Sequence, residues 1–317
     1  MMTDQVTLNV AARFLSENDK YLILTHAHPD GDTLGSAFAL CSALRRMGKK
    51  ANVICPDEIP KKFSYLTAEG NQDFEPSTVI SVDVADPKLL GELQEEYGNK
   101  VQFAIDHHGT NVGFAKMLYL DAKSAAAAEC VYRVLKEMGA EITPFIASSL
   151  YTGIATDTGC FKFSNTTPDT HIIAAELMKA GADYDEINRV MFEVKSRGRL
   201  EMERRVLDCI EYVGDGQCAI VTVTQKMIKE TGCDSSDMDG IAALPRQIEG
   251  VKIGITVREK VDGRWKVSMR TFEPYDAAAI CQKFGGGGHI RAAGCEFGCS
   301  ADEAKAQLKA VVLELLR

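Results

Sequence analysis

Two kinds of apolar run alternate along the chain. Short unbroken runs, Tyr21–Leu24, Ala51–Cys55, Thr78–Val82 and Val101–Ile105, read as strands buried on both faces. Longer stretches with helical spacing separate them. These are residues 6–18, Leu34–Met47 stopped by Gly48, Pro87 to about Glu96, Ser124–Met138 stopped by Gly139, Thr143-Pro144 toward Thr152, and Thr167-Pro168 to near Gly181. Residues 56–77 are turn-rich. Strands alternating with helices predict an α/β domain with a doubly wound parallel sheet. Residues 186–212 are charged and helical in pattern and read as a helical connector, its arginines (Arg189, Arg197, Arg199, Arg204, Arg205) forming a solvated face. After it the pattern changes. Cys218–Thr224, Val251–Arg258 and Trp265–Arg270 read as strands, the last two joined by a turn at Asp262-Gly263, with helices at 276–284 and 300–316. This predicts a smaller α+β domain over 213–317, after a first domain over 1–185.

Composition narrows the picture. A chain of 317 residues exceeds what one core usually holds. A net charge of −9 argues against sequence-independent binding to long duplex nucleic acid, yet leaves room for a small nucleotide held by metal ions and a few arginines. No apolar run reaches membrane-spanning length, and the polar start Met1-Met2-Thr3-Asp4-Gln5 is no signal peptide. A cytoplasmic location without a membrane partner is the expectation. The ten cysteines lie scattered in apolar runs, as structural thiols do in a reducing compartment, and Cys295 and Cys299 lack a second pair at zinc-site spacing.

The chemistry sits where strands end. The first strand runs into Thr25-His26-Ala27-His28-Pro29-Asp30-Gly31-Asp32, the third into Asp83, the fourth into Asp106-His107-His108-Gly109. A polar turn, Gly153–Gly159, holds Asp157. Parallel strands put their carboxyl ends on one edge, where ligands bind. The competing reading of the first loop, a hydrophilic turn with Asp30 or Asp32 capping the next helix, carries equal weight when the loop is taken alone. Five of the six histidines, His26, His28, His107, His108 and His289, fall in these stretches or beside the glycine run; His171 lies on a helix. The candidate ligands are His26, Asp30, Asp32, Asp83, His107 and Asp157. Four carboxylates in one site repel unless neutralised, and two divalent cations would neutralise them. A bridging carboxylate holds such ions about 3.5–4 Å apart, as in-line phosphoryl displacement uses. His108 would be left to contact phosphate or assist proton transfer. In the last domain, Gly285-Gly286-Gly287-Gly288-His289-Ile290-Arg291 is either a flexible loop or a backbone that approaches an anion closely.

These motifs together resemble the DHH phosphoesterase superfamily, named for the sequence present here as Asp106-His107-His108. The run Gly285–Gly294 is similar to the signature of the accompanying DHHA1 domain. Five ordered motifs carry the resemblance over nearly the whole chain. Within the superfamily the two-domain length and Thr156–Thr167 are most similar to bifunctional oligoribonuclease and pAp phosphatase proteins, the nanoRNases. The resemblance implies two Mn²⁺ ions, with Mg²⁺ or Co²⁺ as alternatives. His26 and Asp30 would hold one, Asp32, His107 and Asp157 the other, with Asp83 bridging and Asp106 orienting His107. His28, which chemistry alone would admit, is not a ligand in the family pattern. Arg270, Gly286, Gly287, Gly288 and His289 would bind the far end of the nucleotide, with Arg291 beside them. The implied activity is hydrolysis of short RNA, dinucleotides and the terminal phosphate of pAp by two-metal activation of water; a homodimer is compatible with it. The rivals are a cyclic-dinucleotide phosphodiesterase, a RecJ-like single-strand exonuclease, a pyrophosphatase and a non-catalytic nucleotide sensor.

Overall fold

The structure is a computed structural model that describes residues 3–233 and 237–316. The chain divides into two compact units, Met1–Val194 and Lys195–Arg317. The first contains β1 (Asp4–Gln5), α1 (Leu8–Glu17), β2 (Tyr21–Leu24), α2 (Gly31–Arg46), β3 (Ala51–Ile54), β4 (Thr78–Val82), α3 (Gln94–Tyr97), β5 (Phe103–Asp106), β6 (Met117–Leu120), α4 (Ala127–Glu137), α5 (Pro144–Asp157), α6 (Pro168–Lys179) and α7 (Tyr184–Asn188). Six strands form one parallel sheet in the order β1-β6-β5-β4-β2-β3. Every residue of β2, β4 and β5 is buried, as strands covered on both faces must be. Helices α1, α2, α4 and α5 cover one face; Leu22, Leu24, Val79 and Ala104 meet Val84 and Leu90 on the other. From β2 the chain moves outward to β3, then returns to place β4 on the other side of β2. The carboxyl ends of β2 and β4 therefore flank a switch in strand order, which opens a crevice.

The second unit contains α8 (Arg197–Asp208), β7 (Glu211–Val213), β8 (Cys218–Val223), α9 (Gln225–Thr231), α10 (Met238–Ala243), β9 (Ile253–Glu259), β10 (Trp265–Thr271), α11 (Ala277–Gln282), β11 (Gly287–His289), β12 (Ala292–Phe297) and α12 (Ala301–Leu315). Its sheet runs β11-β12-β10-β9-β8-β7, antiparallel except for the β8–β9 pair. Ile280, Cys281, Ala304, Leu308 and Val312 pack against it. Among the described residues, no helix is long and apolar enough to cross a membrane.

The α/β and α+β architectures are those the pattern predicts, and several local expectations are corrected. Helix α2 begins at Gly31, so Asp32 lies in its first turn and not in the loop. The polar turn expected from Gly153 is helix: α5 continues through Asp157. Gly153 does not break it, because the glycine serves packing; a Cβ there would lie 2.7 Å from both Ala128 Cβ and Asp32 Oδ1. Gly35 does the same on α2, where a Cβ would lie 2.2 Å from the Ser149 carbonyl oxygen. Residues 56–77 include a 3-10 turn, Lys61–Thr67, that buries Phe63 and Leu66 against Leu34. In place of one continuous connector helix, α7 unwinds through a π turn (Arg189–Glu193) into extended Val194, and Ser196 then caps a new helix by accepting the Arg199 amide. The glycine run is not a free loop either. Gly287–His289 pairs with Ala292–Gly294 as a tight hairpin.

Candidate metal centre

The strand ends of the first sheet, with the start of α2 and the end of α5, bring six side chains together. After β2, the Asp30 side chain accepts the amides of Asp32 and Thr33, so it does cap α2. This fixes the loop so that His26 Nε2 lies 3.7 Å from Asp30 Oδ1. After β4, Asp83 adopts a left-handed conformation (φ 61°) and its N–H donates to the Ile105 carbonyl. Backbone strain of this kind persists where surrounding structure holds it, often at functional sites. Asp83 Oδ2 is 3.6 Å from His26 Nε2, and Oδ1 is 3.6 Å from His107 Nε2. Among the described residues, buried Oδ1 has no hydrogen-bond partner.

The other half of the site forms around His107. Its Nδ1 faces the Ser124 carbonyl at 3.2 Å. Its Nε2 faces Asp32 Oδ2 and Asp157 Oδ2, each at 3.8 Å. Asp32 is buried at the N-terminus of α4, where its carboxylate accepts the amides of Ala127 (2.6 Å) and Ala128 (2.9 Å). Among the described residues three groups able to hold an ion result, His26–Asp30–Asp83, Asp32–His107–Asp157 and the overlapping Asp83–His107–His108. His28 stands apart. Its side chain is exposed and its ring lies 3.2 Å from Asp57.

The electrostatics of the site favour added positive charge. Burial, then the Asp32 charge, pushes Asp83 up to about 7; burial, then the Asp83 charge, pushes Asp157 up to about 7. Burial and the neighbouring Asp157 and Asp30 raise Asp32 well above the carboxylate range. Burial opposes a charge on His26, but Asp30 and Asp83 outweigh it and hold the imidazolium up to about 11. The donor set of imidazoles and carboxylates, with one buried carboxylate oxygen lacking a partner, suits divalent cations. A pH dependence follows. Raised carboxylates favour folding while protonated, so metal-free stability falls as pH rises from about 4 toward about 7. Bound cations would replace those protons. The rise in Tm on saturation with Mn²⁺ is therefore expected to be larger at about pH 8 than at about pH 6 in a thermal melt. An equal or smaller rise at the higher pH would mean that these carboxylates do not bind the metal.

Asp106 has a different duty from the one expected. Its fully buried carboxylate does not hold the His107 ring. It accepts the His107 amide (2.8 Å) and the His108 amide (3.2 Å), and Oδ1 lies 2.8 Å from His108 Nδ1. Asn111 donates to the other oxygen and to the Val84 carbonyl. The Asp106 hydrogen bond raises His108 to about 9 against the effect of burial. Asn111 and the α4 amides escaped the sequence reading; for Asn111 the only signal was its place five residues after Asp106.

In the second unit, Arg270, Ala292 and His289 occupy one row across β10, β12 and β11; the His289 side chain lies outside the described residues. Two of the glycines are required by close approach. A Cβ on Gly286 would lie 2.1 Å from the Gly294 carbonyl oxygen, and one on Gly288 2.6 Å from that of Ala292. The Gly285 and Gly286 amides donate to the Gln282 and Cys281 carbonyls. Gly287 is exposed, with open space where its Cβ would be. Arg291 is committed locally, to the Tyr275 carbonyl at 2.7 Å and Glu273 at 3.0 Å.

Comparison with known proteins gives the family of the chain. The family model "DHH family, N-terminal domain" matches residues 20–154, and "DHHA1 domain" matches 215–317. The bifunctional oligoribonuclease and PAP phosphatase NrnA of Thermus thermophilus is 34% identical over 306 residues, 93% of this chain and 90% of that one. An exopolyphosphatase-related protein from Bacteroides fragilis has a similar crystal structure, with a TM-score of 0.88 and 25% identity over 98% of this chain and 97% of that one. Exonuclease RecJ bound to manganese shares the fold, with a TM-score of 0.53 and 15% identity over 96% and 94% of the two chains.

Proposed function

This chain belongs to the DHH family of phosphoesterases and is a hydrolase, and from that premise we propose that it cleaves short oligoribonucleotides and dinucleotides and removes the terminal phosphate of pAp with two divalent cations, Mn²⁺ in preference. The observation that carries the reading is Asp83. Its two oxygens face two separate ligand groups at 3.6 Å each, the disposition a bridging carboxylate needs. His26 and Asp30 would hold one ion, Asp32, His107 and Asp157 the other. When bound, the ions supply a lowered pKa for the attacking water and positive charge for the phosphate oxygens. Asp106 keeps Nδ1 of His108 occupied and leaves Nε2 of this half-exposed ring for the substrate. There His108 can hand a proton to the leaving oxygen. Substrate selection at the far end of the nucleotide is assigned to Arg270, His289 and the glycine hairpin.

The preference for short chains rests on charge. Arg204 is paired with Glu201 and Asp208, Arg205 with Glu201 and Glu230, Arg199 with Glu203, and Arg189 with Glu186. These arginines do not supply an open cationic track, and the net charge of −9 repels a growing polyanion. With Mn²⁺ in excess and ionic strength fixed, kcat/KM is expected to be highest for about two to five nucleotides. It should fall at least about tenfold for a roughly 24-nucleotide RNA, about 1.4 kcal/mol of transition-state stabilisation. Efficiency that holds or rises with length would favour the exonuclease reading. Parallel assays of pAp, cyclic di-AMP and pyrophosphate decide among the remaining substrates.

A further inference from the structure

The turn after Asp157 is built in an unusual way. Gly159, Cys160 and Phe161 are three consecutive residues at positive φ (56°, 58° and 62°), and two of them carry side chains. L-residues resist this conformation, so something must hold it. Thr158 does so from below. Its hydroxyl donates to the Ile154 carbonyl and accepts the Phe161 amide, and its carbonyl accepts the amides of Lys162 and Phe163. The Phe161 ring packs on the core and stacks with His171 at 5.1 Å. Asn165 closes the turn by donating to the Ala125 and Asp157 carbonyls.

The strained turn brings Phe163 back over the residue two after Asp157. The atoms nearest to a Cβ built on Gly159 are Phe163 Cζ, Cε1 and Cε2, so the ring rests on Gly159 by its far edge. The residue is 49% exposed, and among the described residues no other aromatic ring is stacked on it. A large apolar ring, half exposed and resting by one edge on the residue two after Asp157, matches the chemistry of a nucleobase better than that of a phosphate or sugar. We propose that Phe163 is the stacking platform for the base of the nucleotide whose phosphate is held at Asp157, a specificity contact that rests on the nucleotide-hydrolysis reading above.

Two measurements test it. Phe163→Leu keeps an apolar side chain over Gly159 and removes the ring. KM for pAp and for a dinucleotide should rise about tenfold with kcat within about twofold, while Phe163→Tyr stays near wild type. Separately, the fluorescence of Phe163→Trp should be quenched by AMP and not by ribose 5-phosphate, after subtraction of the wild-type signal from the chain's single tryptophan. Wild-type KM in Phe163→Leu, equal losses in the Leu and Tyr variants, or quenching that ignores the base would each overturn the stacking role while leaving nucleotide hydrolysis in place. Absence of nucleotide hydrolysis by the wild-type chain would instead overturn the underlying reading, and the platform with it.

Discussion

Asp83→Asn is expected to lower kcat/KM at least about 1,000-fold on every phosphoester, about 4 kcal/mol, and to reduce bound Mn²⁺ from two ions to one or none. The substitution keeps the size of the side chain and one oxygen. It removes the charge and the second oxygen, which are what two ligand groups share. The fold should survive for three reasons. Among the described residues Asp83 Oδ1 has no hydrogen-bond partner, so no hydrogen bond is lost there. The bond from the Asp83 amide to Ile105 belongs to the backbone and remains. Asparagine also tolerates the left-handed conformation that alanine resists. The metal-free variant should therefore melt no lower than metal-free wild type at about pH 8, since a buried, poorly compensated charge has been removed. Near-wild-type turnover with two bound ions, measured by elemental analysis and steady-state kinetics, would remove Asp83 from the mechanism.

His108→Ala should lower kcat about 100-fold while both metals stay bound. The competing assignment is that His108 is itself a ligand. Its Nδ1 lies 3.4 Å from Asp83 Oδ1, and Asp83, His107 and His108 also form a group able to hold an ion. Against this, Asp106 engages the same nitrogen at the shorter distance of 2.8 Å. The two assignments part company in one measurement. A proton donor lost by truncation leaves Mn²⁺ affinity unchanged, whereas a lost ligand weakens it at least about tenfold. Calorimetric titration of the variant with Mn²⁺ decides which holds.

The parallel sheet was legible because its strands are continuous apolar runs that end abruptly in ionisable residues. The convergence of His26, Asp83 and His107 followed from topology, since parallel strands share an edge; Asp157 joins them from the end of helix α5. What sequence concealed was double use. Gly153 reads as a helix breaker, yet it is the contact that lets α5 lie against α2 and Asp32. The alternation of buried Ala293, Cys295 and Phe297 marks β12 plainly, but the glycine run before it carries no side chains to show that Gly287–His289 pairs with it. The duty of Asp106 was misread because a side chain beside two histidines gives no sequence cue as to which ring, or which amide, it will meet. Strands β1 and β7, of two and three residues, are too short to show a period.

Asp30 and Asp32 each serve a helix terminus as well as the candidate metal centre, and this bears on how descendants of such a chain would decay. A lineage that abandoned catalysis would still be selected to keep both aspartates, because losing either uncaps a helix beneath the sheet edge. Asp83 has no such second employment for its buried oxygen. In a paralogue whose activity is in question, the aspartate after the third long strand is therefore the position to inspect; the two beside the first can outlive the chemistry they once served.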